Sequence, residues 1–378
     1  MSSQAQHTEV AIIGGGIIGL TLAYMASQKG LQVSVFERNS QSVGASIRNF
    51  GMVWPIGQAP GTGLDRALRS REHWRKASDT CGFWRIENGS LHLAYADDEW
   101  QIMQEFYEGA ADHGFQCSFL SPDEITSTYQ GINPSGLVGA LRSETEIIVD
   151  PREVPIKIAT WLQGQPNTQV LFNQAVQEME DGRLLSNGQE WTFDQAFICC
   201  GSDLETLYPE VFQDSPLIKS KLQMLRTYPQ PNGWRVGTSL CAGLTLAHYA
   251  SFADCPTLPA YKKRIQDESP HFFDWGIHVM VSQNGKGELV LGDSHEYGQS
   301  FDPFIREDIN EYILDYLRTF FQGADMRIME RWYGVYAKNP EGIDFIRQVS
   351  PKNLLVTGVG GAGMTHSFGL AEDLINQL

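Results

Sequence analysis

The chain has 378 residues, 42% of them hydrophobic, and sets 28 Lys and Arg against 45 Asp and Glu for a formal net charge of -17. A chain of that length buries a large core and normally divides into two domains, and its acidic balance excludes nonspecific nucleic-acid binding while leaving room for a local basic site that holds a small anion. Its six cysteines show no metal-ligand spacing, so a reduced compartment and no metal are expected.

Residues 1–8 are polar and carry no apolar signal segment, and later apolar runs such as 237–246 are too short to span a membrane, so the expectation is a cytoplasmic protein without a transmembrane segment. Glu9-Val10-Ala11-Ile12-Ile13-Gly14-Gly15-Gly16-Ile17-Ile18-Gly19 then reads as a strand, a tight turn and a helix start, followed by a helix over 20–27 and a strand over 32–36 that ends at Glu37. Gly14, Gly16 and Gly19 permit the turn, the approach of backbone to a pyrophosphate and close helix-strand packing. Free amides at the helix start, at Ile17 and Ile18, face the anion. Glu37 stands where a carboxylate accepts hydrogen bonds from a ribose diol, and it would repel the extra phosphate of NADP. NAD and FAD both fit this far.

The stretch Val43-Gly44-Ala45-Ser46-Ile47-Arg48-Asn49-Phe50-Gly51-Met52-Val53-Trp54-Pro55 is poor for a continuous helix and suits backbone passing close to a flat cofactor. An amphipathic helix follows over 64–78, with Leu64, Ala67, Leu68 and Trp74 on one face. Residues 83–86 and 90–95 resemble a hairpin turning at Asn88-Gly89, and this pair opens a second domain. Residues 97–113 read as helical, and Ser121-Pro122-Asp123-Glu124 as the capped start of another helix. After Val149-Asp150-Pro151 come a helix over 152–162, a strand over 169–171, tight turns at Asp181-Gly182 and Asn187-Gly188, and an apolar strand over 193–200 ending at Gly201. This rhythm marks the return of the nucleotide domain.

Residues 218–297 are rich in strands, at 221–228, 244–252, 277–281 and 288–291, with Gly-rich turns between them. A helix over 309–321 presents Ile309, Tyr312, Ile313, Tyr316 and Leu317 as a core stripe. The chain closes with a buried strand over 354–358, the turn Val359-Gly360-Gly361-Ala362-Gly363-Met364-Thr365 and a helix over 368–375. A second helix start with exposed amides could face the electron-accepting edge of a flavin, which NAD enzymes do not require, so FAD becomes the stronger reading.

Taken together, the N-terminal motif, the loop over 45–51, Val149-Asp150-Pro151, Cys200-Gly201, Trp332-Tyr333-Gly334-Val335-Tyr336 and the stretch 358–365 resemble, in order, the FAD-dependent amine and amino-acid oxidoreductases of the D-amino-acid oxidase, glycine oxidase and sarcosine oxidase superfamily. The resemblance implies an α/β fold in which a Rossmann-like FAD-binding domain (1–80, 145–215 and 325–378) is interleaved with an α+β substrate domain (81–144 and 216–324) built on a mixed or antiparallel sheet. It implies that Gly14, Gly16 and Gly19 approach the pyrophosphate, that Glu37 and Arg38 hold the ribose region, and that Ala45, Ser46, Arg48, Asn49, Gly51 and Met52 line the flavin. Val176 and Gly201 fall on the adenosine side, and Gly334, Gly360, Gly361, Ala362, Gly363, Met364 and Thr365 surround the ring.

Two departures bear on chemistry. D-amino-acid and glycine oxidases usually carry Trp-Ala-Gly-Leu-Arg-Pro where this chain has Trp332-Tyr333-Gly334-Val335-Tyr336-Ala337, so the arginine that clamps a substrate carboxylate is absent. Sarcosine oxidase relatives join a cysteine of this stretch to the flavin, but Gly334 occupies that position, so the FAD is non-covalent. A narrower resemblance rests on Ala45-Ser46-Ile47-Arg48-Asn49-Phe50-Gly51-Met52-Val53-Trp54-Pro55, Glu87-Asn88-Gly89-Ser90-Leu91-His92-Leu93-Ala94 and Tyr333-Gly334-Val335-Tyr336-Ala337-Lys338. These resemble a subgroup associated with organophosphonate degradation.

The implied reaction is oxidation of a primary or secondary amine by hydride transfer to flavin and hydrolysis of the imine, with 2-aminoethylphosphonate or its N-methyl derivative giving phosphonoacetaldehyde. Oxygen or another acceptor takes the electrons. For an anionic substrate Arg48 is the leading contact, with His92, His248, Lys338 and His366 behind it, while Tyr336 and Tyr249 could orient the amine. The alternatives are an oxidase or dehydrogenase of an unusual or N-methyl amino acid, and a non-catalytic flavin-binding electron-transfer subunit.

Overall fold

Residues 5–378 are described by a computed structural model, and their architecture is α/β with two large sheets joined by a small one. In the first sheet the parallel core runs in the order Thr168–Phe172, Val33–Glu37, Gln6–Ile13, Gln189–Ile198 and Asn353–Thr357. Val33–Glu37 is buried along its whole length, as a parallel strand covered on both faces must be. The helices Ile17–Gln28, Thr62–Cys81, Val154–Gln163 and Gly363–Ile375 pack together on one face around Leu20, Trp74, Ile158 and Phe368. Val176–Glu180, Arg183–Ser186 and Gln189–Ile198 form an antiparallel meander, and its Leu184, Trp191 and Phe193 help to build a separate core cluster with Phe36.

The second sheet has nine strands and is mixed: Ser239–Ala242 runs parallel to Ser90–Ala94, and its other pairings are antiparallel. Its longest ladder joins Ile218–Thr227 to Ile328–Lys338, so the strand that carries Tyr336 hydrogen-bonds into this sheet. The third sheet is small and joins Met52–Val53, Ile147–Val149 and Arg85–Ile86.

Two local expectations give way. Residues 83–86 and 90–95 do not pair as a hairpin: Arg85–Ile86 joins Ile147–Val149, whereas Ser90–Ala94 joins Gly139–Ser143 and Ser239–Ala242. Gly89, at φ 63°, sends the chain from one sheet to the other, and a Cβ there would lie 2.2 Å from the Ser143 carbonyl oxygen. Residues 244–252 form no strand either; Leu244–His248 is a short helix and Ala250–Phe252 a 3-10 turn. Gly243 begins that turn where only a hydrogen fits, since a Cβ would sit 1.8 Å from Glu99 Oε1. The apolar residues Leu244 and Leu246 therefore enter the core from a helix, a short apolar run being unable to specify its own period.

The N-terminal turn is among the tightest backbone approaches in the nucleotide region. A Cβ on Gly19 would fall 2.0 Å from the Gly14 carbonyl oxygen, a backbone atom that cannot move without unmaking the strand end. Gly19→Ala is expected to lower the unfolding free energy by about 3 kcal/mol or more, at or above the upper end of ordinary overpacking costs. Denaturant melts, together with the flavin absorbance retained after purification, would check this; an alanine variant that keeps both stability and colour is incompatible with the contact.

Candidate active site

The elements described above converge on one cavity of about 640 Å³. Its wall includes Gly14, Gly16, Ile17, Ile18, Gly19, Glu37 and Arg38 from the first βαβ unit, then Ala45, Ser46, Arg48, Asn49 and Met52 from the following loop. Val176 and Gly201 line it from the meander side, Gly334, Tyr336 and Lys338 from the long ladder, and Gly360, Gly361, Ala362, Gly363, Met364, Thr365 and His366 from the last helix start. His248 and Tyr249 close it from the end of the short helix Leu244–His248.

Gly51 is the exception among the expected cofactor residues. It lies off the cavity wall, at φ 72°, with the position of a Cβ only 2.0 Å from the Val149 carbonyl oxygen. Its role is to let the loop pass against Val149–Asp150–Pro151 before Met52 pairs with Ile148. His92 is the other. It is fully buried between Trp54 and Phe252, away from the cavity, with neither ring nitrogen partnered, and burial lowers its pKa to about 3. An imidazole enclosed in the core and off the cavity wall is out of reach of a ligand there.

Several residues fit FAD on their own geometry. Glu37 Oε2 accepts the Gly15 N–H at 2.8 Å, and Oε1 accepts both the backbone N–H and the Nδ2 amide of Asn39 at 2.9 and 2.8 Å. These bonds hold the carboxylate rigid at the end of its strand and leave acceptor capacity for a diol. The Ile17 N–H, the first of the helix, donates to Ser46 Oγ at 2.8 Å, which ties the flavin loop to the helix start. A Cβ on Gly14 would meet the Cys199 carbonyl oxygen at 2.3 Å, so backbone alone forms that wall.

At the opposite end, Gly334 lies against Arg48, whose Nη1 donates to the Tyr333 carbonyl at 3.2 Å. Thr365 Oγ1 accepts the Trp54 N–H at 2.9 Å, joining the last helix to the loop. His366 Nε2 pairs with Gln58 Oε1 at 2.8 Å, and burial, with Arg66 nearby, lowers its pKa to about 4. Burial raises the pKa of Tyr336 and holds Tyr249 well above the ordinary phenol value, so both hydroxyls remain protonated donors.

Three lining residues were not singled out from sequence: His278, Asp293 and His295. They sit where Met280–Gln283 and Leu289–Gly292, paired antiparallel from Gln283↔Leu289 to Met280↔Gly292, come to their common end. Counting that register outward would set His278 against Ser294, but the pairing shifts by one residue beyond Gly292, and the backbones of His278 and Asp293 exchange hydrogen bonds of 3.2 and 2.8 Å. Asp293 Oδ1 lies 3.1 Å from His278 Nε2 and Oδ2 lies 3.9 Å from His295 Nε2. Ring nitrogens of His248, His278 and His295 all fall within 4.8 Å of one another.

A family model described as FAD dependent oxidoreductase (DAO) matches residues 9–377. A D-amino acid dehydrogenase from Helicobacter pylori (strain ATCC 700392 / 26695) is 42% identical over 224 residues, which cover 46% of this chain and 53% of that protein. A glycerol 3-phosphate dehydrogenase from Caloramator mitchellensis is 26% identical over 157 residues, 40% of this chain and 32% of that protein. The chain thus spans about a third to a half of the length of these curated relatives. Among solved structures, a glycine oxidase from Geobacillus kaustophilus shares the fold with a TM-score of 0.77 at 16% identity, over 99% of this chain and 95% of that one.

The assignment of His92 to the core carries a pH signature. Its pKa is about 3 when folded and near 6.5 in the unfolded chain, so the unfolded state binds more protons between those values. The stability due to neutral His92 is complete above pH 6.5 and is lost as pH falls toward 3, by up to about 1.4 kcal/mol per pH unit. His92→Leu is expected to flatten the acid limb of stability by that amount per unit. Urea melts at several pH values would measure it, and identical slopes in the two proteins would return His92 to a solvated or paired environment.

Proposed function

The chain belongs to the DAO family of FAD-dependent oxidoreductases, and from that membership we propose that its substrate is a small amine with a distal acid, 2-aminoethylphosphonate or its N-methyl derivative, converted to phosphonoacetaldehyde. The enzyme class is an FAD-dependent oxidoreductase acting on CH–NH or CH–NH2 groups. One observation supports the narrower substrate. Tyr336, in the place of the carboxylate-clamping arginine of amino-acid oxidases, faces a cavity whose wall also holds Lys338, His248, His278 and His295.

FAD, when bound, supplies the two-electron acceptor, and Gly14, Gly16, Glu37, Ser46 and the turn over 360–365 are the residues that would hold it. The protein's part is placement. The amine must be neutral with its α carbon–hydrogen bond directed at the acceptor, and the protonated hydroxyls of Tyr336 and Tyr249 are positioned to orient it. Glycine at 334 keeps this wall shallow, since a Cβ would stand 3.4 Å from Arg48. Departure of the hydride leaves an imine that water hydrolyses to the carbonyl, and the electrons pass to oxygen or another acceptor. The likeness to a D-amino acid dehydrogenase favours a second reading, oxidation of an unusual or N-methyl amino acid.

Anaerobic titration of the yellow protein with a panel of amines separates these readings. Loss of oxidised-flavin absorbance with 2-aminoethylphosphonate or its N-methyl derivative is the expected outcome. Bleaching by N-methyl amino acids alone would select the second reading, and an inert flavin across the panel would remove the catalytic assignment.

A further inference from the structure

Resting on the amine-oxidase reading, we propose that His248 and Lys338 are the direct contacts for the distal dianion of the substrate, backed by a stack of His278 and His295 that takes up a proton when the dianion enters. The rings of His248 and His278 have centroids 3.7 Å apart at an interplanar angle of 32°, those of His278 and His295 are 5.1 Å apart at 14°, and those of His248 and His295 are 4.9 Å apart at 35°. A metal ion lies close to the plane of every imidazole that ligates it, at about 2 Å from the nitrogen. Planes this nearly parallel meet only well beyond that reach, so the cluster is a stack and not a chelate.

The stack presents one open member. His248 is exposed to the cavity and has no hydrogen-bond partner among the described residues, whereas His278 and His295 are buried behind it. Lys338 completes the wall with its Nζ 5.3 Å from the Tyr297 ring centroid and no carboxylate in ion-pair reach among the described residues. An ammonium with three donors beside an imidazole edge suits the three oxygens of a tetrahedral dianion, where a bidentate arginine would suit a planar carboxylate.

The surrounding charges permit this. Among the described residues Asp293 is the one carboxylate against the stack, and burial raises its pKa well above the ordinary value. A single proton shared between Asp293 and His278 leaves that pair without net charge wherever the proton sits. Burial, then His295, Lys338 and Lys262, holds His248 well below its usual pKa, and burial brings His295 to about 4. Burial followed by His248 and His295 does the same to His278. Tyr249, Tyr297 and Tyr336, all raised by burial, stay neutral. The histidines are therefore uncharged at neutral pH until a dianion arrives; its field then raises their pKa, and a proton enters with it.

Calorimetric titration of the FAD-loaded protein with methylphosphonate, inorganic phosphate and acetate, between pH 7 and 9 in two buffers of different ionisation heat, tests the assignment. Methylphosphonate and phosphate are expected to bind about tenfold or more tightly than acetate, with proton uptake approaching one and affinity falling by up to about tenfold per pH unit. His248→Gln and Lys338→Met should each weaken methylphosphonate by about tenfold, His295→Asn should remove most of the proton uptake, and Lys262→Met should stay within about twofold. Equal affinity for acetate, absence of proton uptake in the unaltered protein, or unchanged binding in the first two variants would overturn the proposal. So would a stoichiometric divalent metal retained by the protein and lost from His248→Gln. Anion binding as expected with no amine able to bleach the flavin would sink the amine-oxidase reading and leave the anion site standing; bleaching by aminophosphonate with variants that bind like the parent would do the reverse.

Discussion

The contact between Gly19 and the Gly14 carbonyl governs how this molecule can present a nucleotide site. It lets the helix Ile17–Gln28 begin directly above the end of Gln6–Ile13, at the cavity wall, although its first amide, that of Ile17, is not free as the sequence suggested but donates to Ser46 Oγ. Glu37 is then fixed by Gly15 and Asn39, and Ser46 by Ile17. The Gly15 bond has little room to spare, since a Cβ there would stand 3.0 Å from that of Glu37. A methyl group at Gly14 or Gly19 would separate strand from helix, and with them the carboxylate from the amides.

What that turn begins, the long ladder between Ile218–Thr227 and Ile328–Lys338 completes. The ladder is part of the second sheet, yet its Gly334 lies against Arg48 of the flavin loop and its Lys338 forms an isolated bridge with Val359 beside the last glycine turn. The two sheets thus share one seam along the cavity. A shift of this strand by one residue would exchange Tyr336 with a neighbour on the opposite face of the sheet, so register sets which side chain meets the substrate.

Local signals carried much of this into view. The motif at 14–19, Glu37, the flavin loop and the turn at 360–365 announce themselves because glycine placement and short strands are properties of adjacent residues. Ser121 likewise caps Pro122–Thr128 through a reciprocal bond with Glu124. What stayed hidden depends on distant partners. Residues 244–252 have the apolar content of a strand, but they form the helix Leu244–His248 and a 3-10 turn, with Leu244 and Leu246 packed into the core. His92 looks like a candidate ligand until Trp54 and Phe252 enclose it. His278, Asp293 and His295 become a group only in the fold, because counting back from the Gly285–Gly287 turn sets His278 against Ser294 and misses the one-residue shift beyond Gly292.

A seam with Tyr336 in the arginine position and a histidine stack on its wall can have a different kind of selectivity. A guanidinium is charged whether or not a ligand is present, so it attracts any carboxylate that reaches it. The histidine stack begins uncharged, because burial outweighs every neighbouring donor, and acquires charge only if the incoming group repays the desolvation of an imidazolium. A dianion does so with roughly twice the field of a monoanion at the same distance. Discrimination then arises from the coupling of proton and ligand, and a simple amino acid, with one negative charge and no arginine to receive it, gains little from the same wall.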